Sequence, residues 1–162
     1  MKRIIKLSIL TFGLFFIYSS TLQAQDFKLG GGLVYGTEVE SIGIEVGAVA
    51  GLTGDFRGAA DFKYFFPDSP SGVDNTLWEL NANVHYALFS QANAKVYGLA
   101  GLNYISQEVS GGGITVSDSE AGLNLGGGAE FGLGFASLYA ELKYAISDWD
   151  QLDLSAGLRF GL

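Results

Sequence analysis

The sequence contains no cysteine, and its 162 residues include only two prolines and one histidine. The lack of cysteine excludes a disulfide framework, a cysteine-ligated zinc site and a lipid-modified N-terminal cysteine. Basic residues are also scarce, with 9 Lys and Arg against 17 Asp and Glu. Nucleic-acid binding requires clustered basic side chains to neutralise phosphates, so nucleic acid is excluded as a partner.

The beginning of the chain differs from the rest. A short basic segment is followed by an apolar stretch, and small and polar residues then surround Ala24. This order predicts a secretory signal peptide over residues 1–24, cleaved after Ala24 or Gln25, and one domain over residues 25–162. Cleavage leaves 6 basic and 17 acidic residues, a net charge of −11. The apolar stretch is shorter than the roughly 20 residues of a membrane-spanning helix, and no later stretch is long enough.

From Phe27 onward, apolar residues recur at every second position in stretches separated by Gly, Asp, Ser, Asn and Pro. Alternation with this period is typical of β-strands that have one apolar face. The pattern occurs eight times, in stretches of about 10 to 12 residues, close to the length of a tilted strand that crosses a membrane. The sequence therefore predicts an all-β fold: an eight-stranded antiparallel up-and-down transmembrane β-barrel.

Two observations place the apolar face outward, toward lipid. Its aromatic residues gather near both ends of the strands, as in the interfacial girdles of membrane barrels. The opposite face carries six basic and six acidic residues, a balance that a closed lumen requires because an unpaired buried charge is costly. The predicted polar network of the lumen consists of Glu45, Arg57, Asp61, Lys63, Glu79, His85, Glu130, Glu141, Lys143, Asp153 and Arg159.

The pairing of the second and third strands can be predicted from the turn between them. A three-residue turn at residues 53–55 places Leu52 opposite Phe56. Counting outward from that pair places Glu45 opposite Lys63, and we predict a salt bridge between these two side chains.

The interior of an eight-stranded barrel is just wide enough to be filled by side chains. The long charged residues of the predicted lumen are therefore expected to plug it. Tyr139 is expected to fill the space that Gly126 and Gly128 leave open.

The connections between strands alternate in length. With the N-terminus in the periplasm, two outer loops are long (residues 67–75 and 107–119), whereas every inner turn is short, as in outer-membrane barrels. All charged residues of the outer loops are acidic, which creates a negative potential suited to divalent cations that bridge to lipopolysaccharide, or to a basic partner. The candidate loop interaction residues are Asp118, Asp148, Trp149 and Asp150.

Three segments resemble a known family: the signal ending at residues 22–25, the glycine-rich stretch 123–131 and the last strand, 152–162. The chain is similar to the small eight-stranded outer-membrane barrels of the OmpX and Ail group and to the OmpA transmembrane domain. More narrowly, it resembles the porin-like outer membrane protein beta-barrel families of Bacteroidetes. The resemblance implies export by the general secretory route, insertion by the barrel-insertion machinery, and a monomer in contact with lipid and lipopolysaccharide in a Gram-negative outer membrane.

No catalytic, cofactor-binding or metal-binding residues are predicted, and the protein is not expected to be an enzyme. His85 is the only histidine, and on the polar face it is expected to be hydrogen-bonded in the lumen. The predicted function is structural or surface interaction, with a plugged lumen, acidic loops and a surface ligand that the sequence does not identify. Two alternatives remain open: a narrow porin-like ion channel, and a soluble periplasmic barrel with inverted faces that binds an apolar ligand.

Overall fold

The computed structural model describes residues 27–67, 74–111 and 114–162, and the predicted signal peptide lies outside these ranges. They form eight antiparallel strands in chain order, closed into a barrel by pairing of the first strand with the last. The strands are β1 (Phe27–Gly36), β2 (Ser41–Thr53), β3 (Phe56–Phe65), β4 (Asp74–Gln91), β5 (Ala94–Gly111), β6 (Ile114–Gly132), β7 (Ser137–Ile146) and β8 (Gln151–Gly161). The predicted fold class is confirmed. Within the same ranges, no helix is long and apolar enough to cross a membrane.

Side chains of each strand alternate between the two faces of the barrel wall. The outward face is apolar, and Leu33 and Leu102 are 61 % and 62 % exposed. The inward face is polar, and Glu79 and Lys63 are 0 % and 2 % exposed. This arrangement contradicts the soluble alternative, because an interior lined by charged groups offers no site for an apolar ligand.

The aromatic residues of the outward face form contacts near both ends of the barrel. Phe56 and Tyr86 are cross-strand partners with ring centroids 5.0 Å apart, near the end where β1 begins and β8 ends. Near the opposite end, the ring centroids of Trp78 and Tyr104 are 5.6 Å apart. Two such bands are typical of a barrel that spans a lipid bilayer.

The hairpin of β2 and β3 follows the predicted register except at its turn. Glu45 pairs with Lys63 as predicted, but Thr53, not Leu52, pairs with Phe56. The register shifts between Gly51 and Thr53, because Leu52 is the extra residue of a β-bulge. The turn is therefore one residue shorter than expected, and the pairing beyond the bulge is unchanged.

Three strands extend well past the barrel rim. β4, β5 and β6 contain 18, 18 and 19 residues, and the predicted loop at residues 107–119 is mostly a continuation of β5 and β6. The prediction of a long loop was wrong. The alternation of side chains continues through residues 107–111 and 114–119, where Val109 and Val116 are cross-strand partners. Most of the other predicted long loop, residues 67–75, lies outside the described residues.

Glycine is required where β1 meets β8 to close the barrel. A Cβ atom at Gly32 would lie 2.3 Å from the carbonyl oxygen of Ala156, and one at Gly157 would lie 2.2 Å from that of Gly31. Gly32 and Gly157 are cross-strand partners, so the two backbones approach each other where neither residue carries a side chain.

We predict that Gly32→Ala weakens the closure of the barrel, because a methyl group at this position forces the two backbones apart. Electrophoresis without boiling, after heating to a series of temperatures, should show the compact folded band disappearing at a lower temperature than in the parent. Gly98→Ala is the matched control, because its Cβ would have 4.0 Å of clearance from the nearest backbone oxygen. Equal effects of the two substitutions would contradict the assignment.

Candidate functional site

The lumen near the beginning of β1 and the end of β8 contains an ion-pair cluster centred on Glu130. This carboxylate contacts the Nζ atom of Lys28 and lies 3.0 Å from Nη1 of Arg57 and 3.3 Å from Nη1 of Arg159. The Nη2 atom of Arg159 is 3.1 Å from Oε2 of Glu141. We call these five residues the terminal cluster. Four strands and the start of β1 contribute to it, so its ion pairs connect opposite walls of the barrel.

The inward side chain of Tyr97 packs between the charged groups of the terminal cluster. The ring of His85 stacks on Tyr97 with centroids 4.5 Å apart, and Cζ of Arg57 lies 4.8 Å from the centroid of the same tyrosine. The Tyr97 hydroxyl donates a hydrogen bond of 2.8 Å to Glu141. His85 lies in the lumen as predicted, but its expected hydrogen bond is not seen among the described residues. Its Nδ1 has no hydrogen-bond partner there, and its Nε2 lies 3.6 Å from Oε1 of Glu141.

The position of Tyr139 differs from the prediction. A Cβ at Gly128 would meet the hydroxyl of Tyr97, and one at Gly126 would meet the backbone of β7. Tyr139 instead donates a hydrogen bond of 2.8 Å to Glu45 on the opposite side of the lumen. The cross-strand partner of Tyr139 is Glu130, not Gly126 or Gly128. The Tyr139 ring therefore does not lie over the two glycines, as was predicted.

A second ion-pair cluster fills the middle of the lumen. Nζ of Lys63 lies 2.8 Å from Oδ2 of Asp153 and 3.4 Å from Oε2 of Glu45. The ion pair of Lys63 with Glu45 is the one that the β2–β3 register predicted. Nζ of Lys143 is 3.7 Å from carboxylate oxygens of Asp61, Glu79 and Asp153. We call these six residues the central cluster. Ten of the eleven side chains predicted for the lumen network therefore belong to one of the two clusters. The eleventh, His85, lies against the terminal cluster.

Amide side chains extend the central cluster toward β4, β5 and β6. The Nδ2 atom of Asn124 donates to the Oδ1 atoms of Asn81 and Asn83, at 2.9 and 2.8 Å. Asn103 donates to Asn81 and to Glu79, at 2.8 and 3.2 Å. These bonds provide hydrogen-bond partners for the buried amides and add an uncharged donor to Glu79, which Lys143 also approaches.

An apolar cluster lies in the lumen at the end opposite the beginning of β1 and the end of β8. Its buried members are Val34, Phe65, Leu77 and Ile105, and Val39 and Trp149 pack against it. We call these six residues the apolar cap. It separates the central cluster from the outer end of the barrel, a feature that the sequence analysis did not predict.

Trp149 was predicted to interact with a partner, but it packs on the apolar cap. The β7–β8 turn directs it inward: Asp150 accepts hydrogen bonds from the Ser147 amide at 3.1 Å and from the Tyr144 hydroxyl at 2.8 Å. The Trp149 amide donates to Oγ of Ser147 at 2.9 Å. Asp150 is thus a structural residue of this turn as well as an exposed acid.

The other two predicted loop residues are exposed acids at the outer end. Asp118 accepts a hydrogen bond of 2.8 Å from the Ser119 amide. Asp148 lies beside Glu120, and partial removal from water together with a hydrogen bond to Asp148 raises the pKa of Glu120 above its ordinary value. The β7–β8 turn is therefore adjacent to β6 at Glu120.

A small cavity lies between the two clusters. A cavity of about 20 Å³ is lined on its polar side by Glu45, Asp61, His85, Tyr139, Glu141 and Arg159, and it has room for about one water molecule. Across the described ranges, no group of three or more His, Asp or Glu side chains has the geometry to hold a metal ion.

A closed eight-stranded barrel with an apolar exterior and a charged interior is the architecture of a transmembrane β-barrel. The family described as Outer membrane protein beta-barrel domain matches residues 9–161. The chain belongs to this family, and the family resemblance predicted from the sequence is confirmed.

Several solved structures share the fold. Neisserial surface protein A has a TM-score of 0.71 and 19 % identity over 84 % of this chain and 97 % of its own. Ail of Yersinia pestis has a TM-score of 0.57 and 18 % identity, covering 83 % and 96 %. The N-terminal β-barrel domain of Pseudomonas aeruginosa OprF has a TM-score of 0.58 and 17 % identity, covering 82 % and 96 %. A search among curated proteins finds no match.

We predict that Lys63 is more strongly coupled to Asp153 than to Glu45, because its shorter contact is a hydrogen bond as well as an ion pair. Lys63→Met should lower the free energy of unfolding by about 3–5 kcal/mol, since it leaves buried carboxylates without their counter-charge. Double-mutant cycles with Asp153→Asn and Glu45→Gln, followed by urea unfolding in micelles, measure the two coupling energies. A larger coupling to Glu45 would show that the geometry of the central cluster is wrong.

Proposed function

We propose that this protein is an integral outer-membrane barrel with a sealed lumen, which displays an acidic sheet at the outer surface in a structural or surface-interaction role. The observation that carries this proposal is the apolar cap above the central cluster. An ion that enters from the outer end must first cross apolar side chains and then displace paired buried charges. The proposal assigns no catalytic role to the chain.

The orientation follows from the two ends of the barrel. The end with the β4–β6 extensions carries only acids among its charged residues, and the end where β1 begins and β8 ends has short turns. Long extensions on the outer side and short turns on the periplasmic side are typical of outer-membrane barrels. The acidic end therefore faces outward in the proposed arrangement. Export by a cleaved signal peptide, insertion by the barrel-insertion machinery and a monomeric state in contact with lipopolysaccharide complete the proposal.

The sign of the outer charge favours some surface ligands over others. Ail of Yersinia pestis has been solved in complex with the heparin analogue sucrose octasulfate, a polyanion. The outer end of the present chain has a negative potential, which repels polyanions. We therefore propose that this chain does not bind sulfated polysaccharides.

A narrow ion channel is the second candidate function. Its support comes from buried polar atoms that have no hydrogen-bond partner among the described residues, including Nε of Arg57, Nζ of Lys143 and Oδ1 of Asp153. Such atoms are suited to contact with water. Conduction would require the apolar cap to open, because hydrophobic constrictions gate by excluding water.

We predict that the parent protein gives no stepwise conductance in a planar lipid bilayer, and that Trp149→Ala does. The substitution removes the largest side chain of the apolar cap and exposes the central cluster to water from the outer end. The measurement is single-channel current in symmetric potassium chloride, with the folded protein verified by its boiling-dependent shift on a gel.

Trp78→Ala is the matched control for this experiment. It removes the same side chain from the lipid-facing aromatic band, where Trp78 contacts Tyr104, and it should leave the bilayer silent. Steady conductance by the parent protein would support the channel and overturn the sealed lumen.

A further inference from the structure

The terminal cluster uses only part of the guanidinium of Arg57. Its Nη1 atom donates to Oε2 of Glu130 at 3.0 Å, whereas Nε and Nη2 have no hydrogen-bond partner among the described residues. Nε and Nη2 form one side of the planar guanidinium, and their parallel N–H groups match two oxygens of a carboxylate or a similar oxyanion. Arg57 is 3 % exposed, so these donors are also removed from bulk water.

The terminal cluster has one positive charge in excess. It consists of three bases and two acids: Lys28, Arg57, Arg159, Glu130 and Glu141. The Nη1 atoms of Arg57 and Arg159 lie 3.0 and 3.3 Å from the same atom, Oε2 of Glu130. Two like charges that converge on one oxygen repel each other, and burial strengthens this repulsion. A further negative charge beside Arg57 would reduce it.

The nearby acids of the chain are engaged elsewhere. Glu141 lies 3.1 Å from Nη2 of Arg159 and accepts a hydrogen bond of 2.8 Å from Tyr97. Asp55 lies in the turn before β3 and is exposed to solvent. The carboxylates of the central cluster contact its two lysines instead. A negative charge for the Nε–Nη2 side of Arg57 must therefore come from a separate molecule.

The end where β1 begins and β8 ends offers a route to Arg57. Arg57 is the second residue of β3, which begins at this end. The side chain of Lys28 is 21 % exposed, more than any other member of the terminal cluster. Lys95, the cross-strand partner of Glu130, adds another base here. An entrance lined by bases attracts anions.

We propose that Arg57 binds a small monovalent oxyanion of the formate type through Nε and Nη2. One negative charge balances the excess of the terminal cluster, and two oxygens of a planar anion match the two donors. The anion must be small because Arg57 is buried. The inference goes beyond the proposed function, since it requires only that the lumen be reached from the end where β1 begins.

The test uses the full folded barrel in detergent micelles and sodium formate as the probe. Formate replaces gluconate at constant ionic strength, because gluconate is also a monovalent carboxylate but is much larger. The replacement should raise the temperature at which the compact band disappears on an unboiled gel by about 2–8 °C, and the rise should saturate with formate concentration. The NMR line of ¹³C-formate should also broaden in the presence of the barrel.

Three substitutions separate binding at Arg57 from a general salt effect. Arg57→Lys keeps the charge but removes the paired donors, so it should abolish both the temperature rise and the line broadening. Glu130→Gln makes the cluster more positive and should strengthen formate binding about threefold or more. Glu108→Gln is the matched control, because it changes the charge equally on the exposed extension of β5, opposite Ser117. It should change formate binding less than about twofold.

The inference is overturned if formate and gluconate give the parent the same transition temperature, which would mean that water alone satisfies Arg57. It is also overturned if Arg57→Lys retains the formate effect, or if Glu108→Gln changes formate binding as much as Glu130→Gln. If Arg57→Lys does not fold, Lys28→Gln decides: it removes the excess charge and should weaken formate binding about threefold or more, and unchanged binding contradicts the inference. The bilayer measurement tests the sealed lumen separately.

Discussion

Charged side chains inside this barrel are removed from bulk water, so each depends on another side chain for neutralisation. Glu130 illustrates the constraint, because cations from β1, β3 and β8 all contact it. A buried charge that lost its partners would cost several kcal/mol. The partners of Glu130 come from strands that are not its neighbours in the barrel wall, so these ion pairs connect separate parts of the wall across the lumen.

The need of buried charges for partners also accounts for the two separate ion-pair clusters along the lumen axis. The terminal cluster has more bases than acids, and the central cluster has four carboxylates against two ammonium groups. Amides of Asn81, Asn103 and Asn124 add uncharged hydrogen bonds beside the two lysines. The apolar cap lies between the acidic central cluster and the outer end of the barrel. In the proposed function this arrangement keeps the interior closed, and the acids outside the cap lie at the surface.

Much of this arrangement could be predicted from the sequence, because a period of two assigns every strand residue to one face. The Glu45–Lys63 pair followed from the turn, even though the bulge at Leu52 changed the turn itself. Contacts across the lumen could not be predicted, since they depend on how strands far apart in the chain are staggered. For that reason Tyr97, Tyr139 and the inward position of Trp149 were missed. The extensions of β5 and β6 were missed because serine and glycine there masked an alternation that continues through Val109 and Val116.

The central claim is that the outward face contacts lipid and the inward face is sealed from water. The natural chain has no cysteine, so single spin labels can be attached at adjacent positions: Leu80 and Asn81, then Leu102 and Asn103. Collision rates with oxygen, which dissolves in lipid, and with a water-soluble nickel chelate should be measured in vesicles. We expect oxygen collisions at Leu80 and Leu102, and collisions with neither reagent at the two asparagines. Nickel collisions at the asparagines would show an open aqueous lumen and contradict the account.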